Sequence, residues 1–308
     1  MKTINPKDVS VPAFHALMLG AIAPRPIAFA STIDAQGNVN LSPFSFFNAF
    51  GANPPLLIFS PARRVRDNTT KHTLENVREV PEVVINVVNY ALVQQMSLTS
   101  TEYDKGINEF TKAGLTEVAS TLVKPPRVLE SPVSFECKVL QVIETGSEGG
   151  AGNLIICEIM LAHVNEAILD ERGVIDPQKI DLVARLGGDW YCRASGNALF
   201  EVEKPLVKKG IGIDQMPEKI RLSTTLTGND LGKLGNVEHL PTPEELQAFK
   251  QSADFQEIMS QASSFLFETH TPQVDFAHTI AQRYLQANQV DIAWKVLLTL
   301  EIRTNNTK

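Results

Sequence analysis

Three cysteines in 308 residues, Cys137, Cys157 and Cys192, are too few and too scattered for a disulfide framework or a CxxC zinc site. Each is flanked by strand-like sequence, so they read as small buried hydrophobes. The six histidines, His15, His72, His163, His239, His270 and His278, show no metal-ligand spacing. HExxH, GxSxG, a Walker loop and HxE…CxxC are all missing, so hydrolase chemistry has no visible nucleophile with its base. Basic residues are not in excess. With 28 Lys and Arg against 35 Asp and Glu, the formal net charge of −7 counts against general nucleic-acid binding. The apolar run over residues 12–30 is interrupted by Pro24, Arg25 and Pro26 and is no membrane span. The start M-K-T-I-N-P lacks the basic-then-apolar order of a signal peptide, so a reducing cytoplasm is the expected compartment.

What is present is ordinary for a soluble globular chain: 43% apolar and 20% charged residues. The length allows one large domain, or a domain of about 200 residues with an extension. Pro12 and Gly20 bracket a short helix. Residues 27–33 then read as a strand that turns at D-A-Q-G-N and returns from Val39, a hairpin signal. In N-L-S-P-F-S-F-F, Pro43 belongs at an edge or a bulge, where no ladder N–H is needed. P-P-L-L-I-F-S is the next strand, ending at Ser60. A basic loop follows, with Arg63, Arg64, Arg66 and Lys71 within nine residues. Thr70 or Thr73 is placed to cap the helix through L-E-N-V-R-E.

Residues 83–88 form a further strand carrying Asn86, and 91–122 read as helical, then looser. Residues 133–144 and 154–165 are two more strands. The glycine-rich joint T-G-S-E-G-G-A-G-N between them lacks GxGxxG spacing and a following helix, so it reads as a hairpin loop. This succession of hairpins is an antiparallel β pattern, and closing such a sheet into a barrel would remove its edges. From Pro205 the chain is rich in Gly and Pro punctuation. G-I-G-I-D lacks a third glycine and meets Pro217, so it is no dinucleotide fingerprint. Helices are expected over 243–267, 273–285 and 290–300. The expected domains are therefore 1–204, mainly β with short helices, and 205–308, loop-rich and then helical.

Phosphate-capable groups concentrate between Arg63 and Asn76: guanidinium and ammonium charge, hydroxyls, and a helix start with free N–H groups. Polar breaks at Ser42-Pro43-Phe44-Ser45, Ser60 and Asn86 interrupt otherwise apolar strands, and buried strands rarely carry polar groups without a partner.

R-P-I-A-F-A-S-T-I-D-A-Q-G-N-V-N-L-S-P-F-S-F-F, P-P-L-L-I-F-S, K-H-T-L-E-N-V…V-I-N-V and A-R-L-G-G-D-W-Y, in that order, resemble the flavoredoxin-like branch of the flavin reductase family. The resemblance spans roughly residues 15–200. It implies an FMN-binding split β-barrel, a homodimer with FMN near the subunit interface, and NADH or NADPH as electron donor. Carried onto this chain, it implies that Ser42, Pro43, Phe44 and Ser45 line the isoalloxazine ring, with Ser60 beside the ring or ribityl chain. Lys71 and Thr73 match the Lys and Thr of a K-D-T phosphate motif whose middle residue is here His72. Ser31 and Thr32 are candidate ribityl or phosphate contacts, with Asn86 and Asn76 behind them. His163 falls near where related reductases place a nicotinamide-contacting histidine, and Arg185 and Tyr191 are cofactor, partner or packing residues. The expected activity is NAD(P)H-dependent flavin reduction. Two other readings are open: an FMN-binding electron carrier without a nicotinamide site, and a non-catalytic split-barrel interaction module.

Overall fold

The computed structural model describes residues 1–269 and 273–302; His270 lies outside the described residues. The chain forms two compact units, Met1–Phe200 and Glu201–Lys308.

In the first unit, Ser10 caps α1 (Val11–Ala21) by accepting from the Ala13 N–H, and Pro12 sits in the first turn. Strands β1 (Ala28–Ile33) and β2 (Val39–Phe44) pair antiparallel across the D-A-Q-G-N turn. There Asp34 Oδ1 accepts from the N–H groups of Gln36 and Asn38, at 3.0 and 2.8 Å, and Gly37 takes a φ of 86°. Then come β3 (Phe47–Ala52), β4 (Pro55–Phe59), α2 (His72–Glu79), β5 (Glu82–Val87), α3 (Val93–Leu98) and α4 (Glu109–Ala113). The small ladder β6 (Glu117–Val118) with β7 (Arg127–Val128) precedes the long hairpin β8 (Val133–Glu144) and β9 (Asn153–Val164). A short α5 (Pro177–Ile180) leads into β10 (Val183–Arg185) paired with β11 (Tyr191–Arg193).

The main sheet is antiparallel throughout, in the order β2-β1-β5-β8-β9-β4-β3. Its two edge strands, β2 and β3, are consecutive in the chain and separated by Ser45 and Phe46 alone. They share no ladder, so the expected barrel closure stops at this corner and the barrel is split. Pro43 in β2 has no N–H to give a closing strand. The Phe46 carbonyl accepts instead from the Ser60 N–H at the end of β4.

Both faces of β1 are covered, which is why all six of its residues are buried. Ala28 and Ala30 face a core with Ile85, Cys137, Ile155, and Leu74 and Val77 of α2. Phe29 points the other way, into a core with Leu41, Leu92, Met96 and Phe110. Each such buried Phe or Leu contributes about 1.5–3 kcal/mol relative to exposure.

The second unit departs from its sequence reading at two places. Within the loop-rich stretch lie α6 (Glu218–Arg221) and α7 (Gly228–Gly235). Glycines lower helix propensity, but Thr227 and Asp230 form a capping box, and the fully buried Ile220 and Leu234 anchor the segment. The helix expected over 243–267 is two, α8 (Pro243–Phe249) and α9 (Ala253–Thr269), because Ser252 Oγ accepts from the Phe255 N–H and starts the second. Helices α10 (Gln273–Gln286) and α11 (Val290–Ile302) form a hairpin that turns at Asn288, φ 60°. The core centres on Trp294, whose indole N–H donates to the Leu234 carbonyl at 3.0 Å.

No described helix is long and apolar enough to cross a membrane. Among the described residues no group of His, Cys, Asp and Glu is placed to hold a metal ion. Burial pushes the Cys137 thiol up to about 12 and raises the Cys157 thiol well above its ordinary value, so neither is a ready thiolate.

Candidate functional site

The corner that splits the barrel also opens it. A cleft of about 310 Å³ in the first unit is lined by Ser42, Pro43, Phe44, Ser45 and Phe46 on one side. Ser60 lies along it, and Arg64, Lys71, His72 and the segment Thr99–Tyr103 close the far end. His15 of α1, edge-on to Phe46 at 6.0 Å between ring centroids, and Arg25, Arg185 and Leu186 close the near end.

Local chemistry explains how these groups converge. Asn40 is buried at the base, where its Nδ2 donates to Ser42 Oγ at 3.2 Å and to Thr73 Oγ1 at 3.3 Å. One amide thus ties the β2 corner to the first turn of α2. No side chain caps that turn: Lys71 holds the N-cap position without a cap hydrogen bond, and Thr70 Oγ1 donates to Glu75 instead. The turn is left with a partial positive charge facing the cleft.

The basic loop 61–71 is braced from below by the glycine-rich joint. Arg63 N–H donates to the Ala151 carbonyl and Gly150 N–H returns a bond to the Arg63 carbonyl. A Cβ on Gly149 would come within 3.1 Å of the carbonyl oxygens of Arg64 and Val65, so glycine is needed for close approach there. Arg64 then donates to Thr69 and to the Thr70 carbonyl, and its Nε meets Glu102 Oε1 at 2.7 Å.

At the near end Arg25 is buried and donates to the carbonyls of Leu19, Ile22 and Leu186, locking the C-terminal end of α1 to the segment after β10. Burial, and then the neighbouring Arg185 charge, lower its pKa from the ordinary value. Arg185 stacks over the Tyr191 ring at 4.7 Å.

The residues singled out from sequence fall into two groups. Ser42, Pro43, Phe44, Ser45, Ser60, Lys71, His72 and Arg185 line the cleft. Thr73 lies just beneath it, fully buried and bonded to Asn40. The other group lies elsewhere. Ser31, Thr32, Asn76 and Asn86 are buried in the sheet and against α2, with Asn76 donating to Thr32 Oγ1 at 3.1 Å. Asn86 donates to the Phe29 carbonyl and accepts from Val128 N–H and Ser134 Oγ, at 3.0, 3.0 and 2.8 Å. His163, on β9, is outside the cleft lining, and its Nε2 lies 2.6 Å from Oε1 of the fully buried Glu136. Burial pushes the Glu136 carboxyl up, but donors from Thr121, Leu122 and His163 outweigh it and hold it below its ordinary value.

Sequence reasoning missed Arg25, Asn40, Glu102 and Glu109, all on the cleft. The A-P-R-P context of Arg25 was a usable signal, since a cation between two prolines cannot sit in a regular element. Glu109 is buried, accepts from the Leu41 N–H at 2.9 Å, and has its pKa raised by burial.

The family model for the flavin reductase like domain matches residues 19–179. A protein of Aquifex aeolicus (strain VF5) is 38% identical over 196 residues, which is 64% of this chain and 97% of that one. The crystal structure of nitrilotriacetate monooxygenase component B from Bacillus cereus is 29% identical and superposes with a TM-score of 0.61, covering 66% of this chain and 98% of that one. A flavin reductase-type structure with a split barrel domain, from Shewanella frigidimarina NCIMB 400, is 28% identical, with a TM-score of 0.55 over 66% of this chain and 100% of that one. The matched residues contain the split corner, the basic loop and α2, and the chain belongs to the flavin reductase like domain family.

Proposed function

We propose that this protein binds FMN in the split-corner cleft and works as a flavin reductase-type oxidoreductase fed by NADH or NADPH. The observation that carries the reading is the joining, through Asn40, of a hydroxyl-bearing strand corner to an uncapped, cationic helix start. The donor set fits FMN from end to end. Lys71, Arg64 and the first turn of α2 suit a phosphate. The Ser60 and Ser42 hydroxyls suit a polyol chain, and Pro43, Phe44 and Phe46 offer apolar surface to a flat ring.

When bound, FMN supplies a two-electron acceptor whose N5 takes hydride from a reduced nicotinamide. The protein's part is placement. Lys71 and Arg64 fix one end of the ligand, and the β2 corner fixes the other, so a donor meets a ring of set orientation. Arg25 holds the near end by tying α1 to the Leu186 segment. No protein base is required by this division of labour.

Titrating the purified protein with FMN, then mixing it anaerobically with NADH or NADPH in a stopped-flow spectrometer, tests both halves. Saturable FMN binding followed by bleaching of the flavin band is the expected result. Binding without bleaching by either nucleotide leaves an electron carrier, and protein that ignores added FMN removes the reading.

A further inference from the structure

The far end of the cleft already contains an anion. Glu102, on the segment between α3 and α4, places Oε1 2.7 Å from Arg64 Nε and 3.3 Å from Lys71 Nζ. Its Oε2 lies 3.0 Å from Arg66 Nη2. One carboxylate thus engages three cations, and no other described carboxylate forms an ion pair with Arg64 or Lys71. The hydrogen bond from Arg64, and then Lys71, outweigh the desolvation that pushes the other way and hold its carboxyl at about 2, so it is charged throughout the working range.

We propose that Glu102 is an internal competitor for the phosphate of the flavin, and that it sets how readily the cofactor exchanges. The inference rests on the FMN reading. A flavin phosphate carries a charge of about −1.5 to −2 and three acceptor oxygens, against one charge and two oxygens on the carboxylate, so it outbids Glu102 for the same donors. The exchange is not free of cost, because a phosphate that takes Arg64 and Lys71 must break the two ion pairs they make with Glu102. Affinity is therefore the difference between two anions rather than the full attraction of the cations. The segment that carries Glu102 is a connection outside the regular elements. Residues 99–108 contain neither helix nor strand, and the Glu102 side chain is 41% exposed. Arg64 has further anchors that do not involve Glu102, the Thr69 hydroxyl and the Thr70 carbonyl. The arrangement favours a flavin that comes and goes over one held permanently.

Replacing Glu102 by Gln removes the competing charge at a part-exposed site and leaves the fold's cores untouched. Calorimetric titration of the full chain with FMN, and separately with riboflavin, reads the result. The FMN Kd should fall roughly fivefold, the summed effect of two part-exposed ion pairs no longer broken on binding. Riboflavin, which has no phosphate, should bind wild type and Glu102→Gln alike. Inorganic phosphate should compete with FMN at lower concentration in the variant. An FMN Kd that is unchanged or raised in Glu102→Gln, or a riboflavin Kd that moves in step, overturns the inference, since Glu102 would then brace the cations or act on the whole cleft. Wild-type protein that binds neither flavin overturns the FMN reading, and this inference with it; FMN binding indifferent to Glu102 overturns only the inference.

Discussion

Two sets of polar side chains lie in and beside the apolar elements of the first unit, and they meet different fates. Asn86, Thr32 and Asn76 are buried and matched by protein donors and acceptors within the sheet and α2. Ser42, Ser45, Ser60 and Lys71 open onto the cleft, where a ligand can reach them. The first set serves the fold; the second borders the cleft in which we propose that a flavin binds. What separates the sets is whether the residue borders the cleft, and periodicity alone does not say which will.

That contrast can be broken from the structural side first. Asn86→Ala should destabilise the protein most, by on the order of 3 kcal/mol, since it orphans the buried Val128 N–H and the Ser134 hydroxyl together. Urea unfolding checks this, and FMN affinity measured below the transition should stay unchanged. A loss of FMN affinity at unaltered stability would move Asn86 into the site.

Lys71→Ala should do the reverse. Removing one charged hydrogen bond to a phosphate costs on the order of 1.5–3 kcal/mol of FMN binding, while stability hardly moves because its pairing with Glu102 is part-exposed. Parallel titration and unfolding curves separate the two effects.

A smaller effect is expected at Glu109. Its folded-state pKa is raised by burial, so the stability it allows is fully present below the ordinary carboxylate pKa and is lost as pH rises through the folded one. Glu109→Gln keeps an acceptor for the Leu41 N–H and has no charge to desolvate. The variant should gain on wild type as pH rises from about 4 to 8, and unfolding curves across that range test the sign. Curves that run parallel would mean that Glu109 is not desolvated.

The smallest change is predicted for Ser31→Ala. Ser31 Oγ is buried without a hydrogen-bond partner among the described residues, so deleting it should not destabilise the protein and should raise stability by about 1 kcal/mol at most. A large loss of FMN affinity would place Ser31 in the site.

Much of the fold was legible because its signals are local. The D-A-Q-G-N turn, Pro43 at an edge strand, the β8–β9 hairpin and α1 between Pro12 and Gly20 each rest on neighbouring residues. Helices α6 and α7 were not legible, since their glycine-rich sequence argues against helix and only burial of Ile220 and Leu234 overrides it. For the cleft, the segments Ser42–Ser45 and Lys71–His72 stood out by composition. Asn40 and Glu102 did not, and Arg25 showed only its proline context, because their partners are met only across distance. Glu102 meets Arg64 from 38 residues away, and Arg25 reaches Leu186 from 161. His163 shows the same dependence on distance: its Nε2 lies 2.6 Å from Glu136 Oε1, a neighbour 27 residues away that no local pattern announces.

The most direct measurement is a paired titration of wild type and Lys71→Ala with FMN and with riboflavin. If the cleft holds a flavin by its phosphate at the start of α2, the variant loses about tenfold or more in FMN affinity and riboflavin binding is unaltered. Equal losses for both flavins, or an FMN affinity that ignores Lys71, would contradict the account.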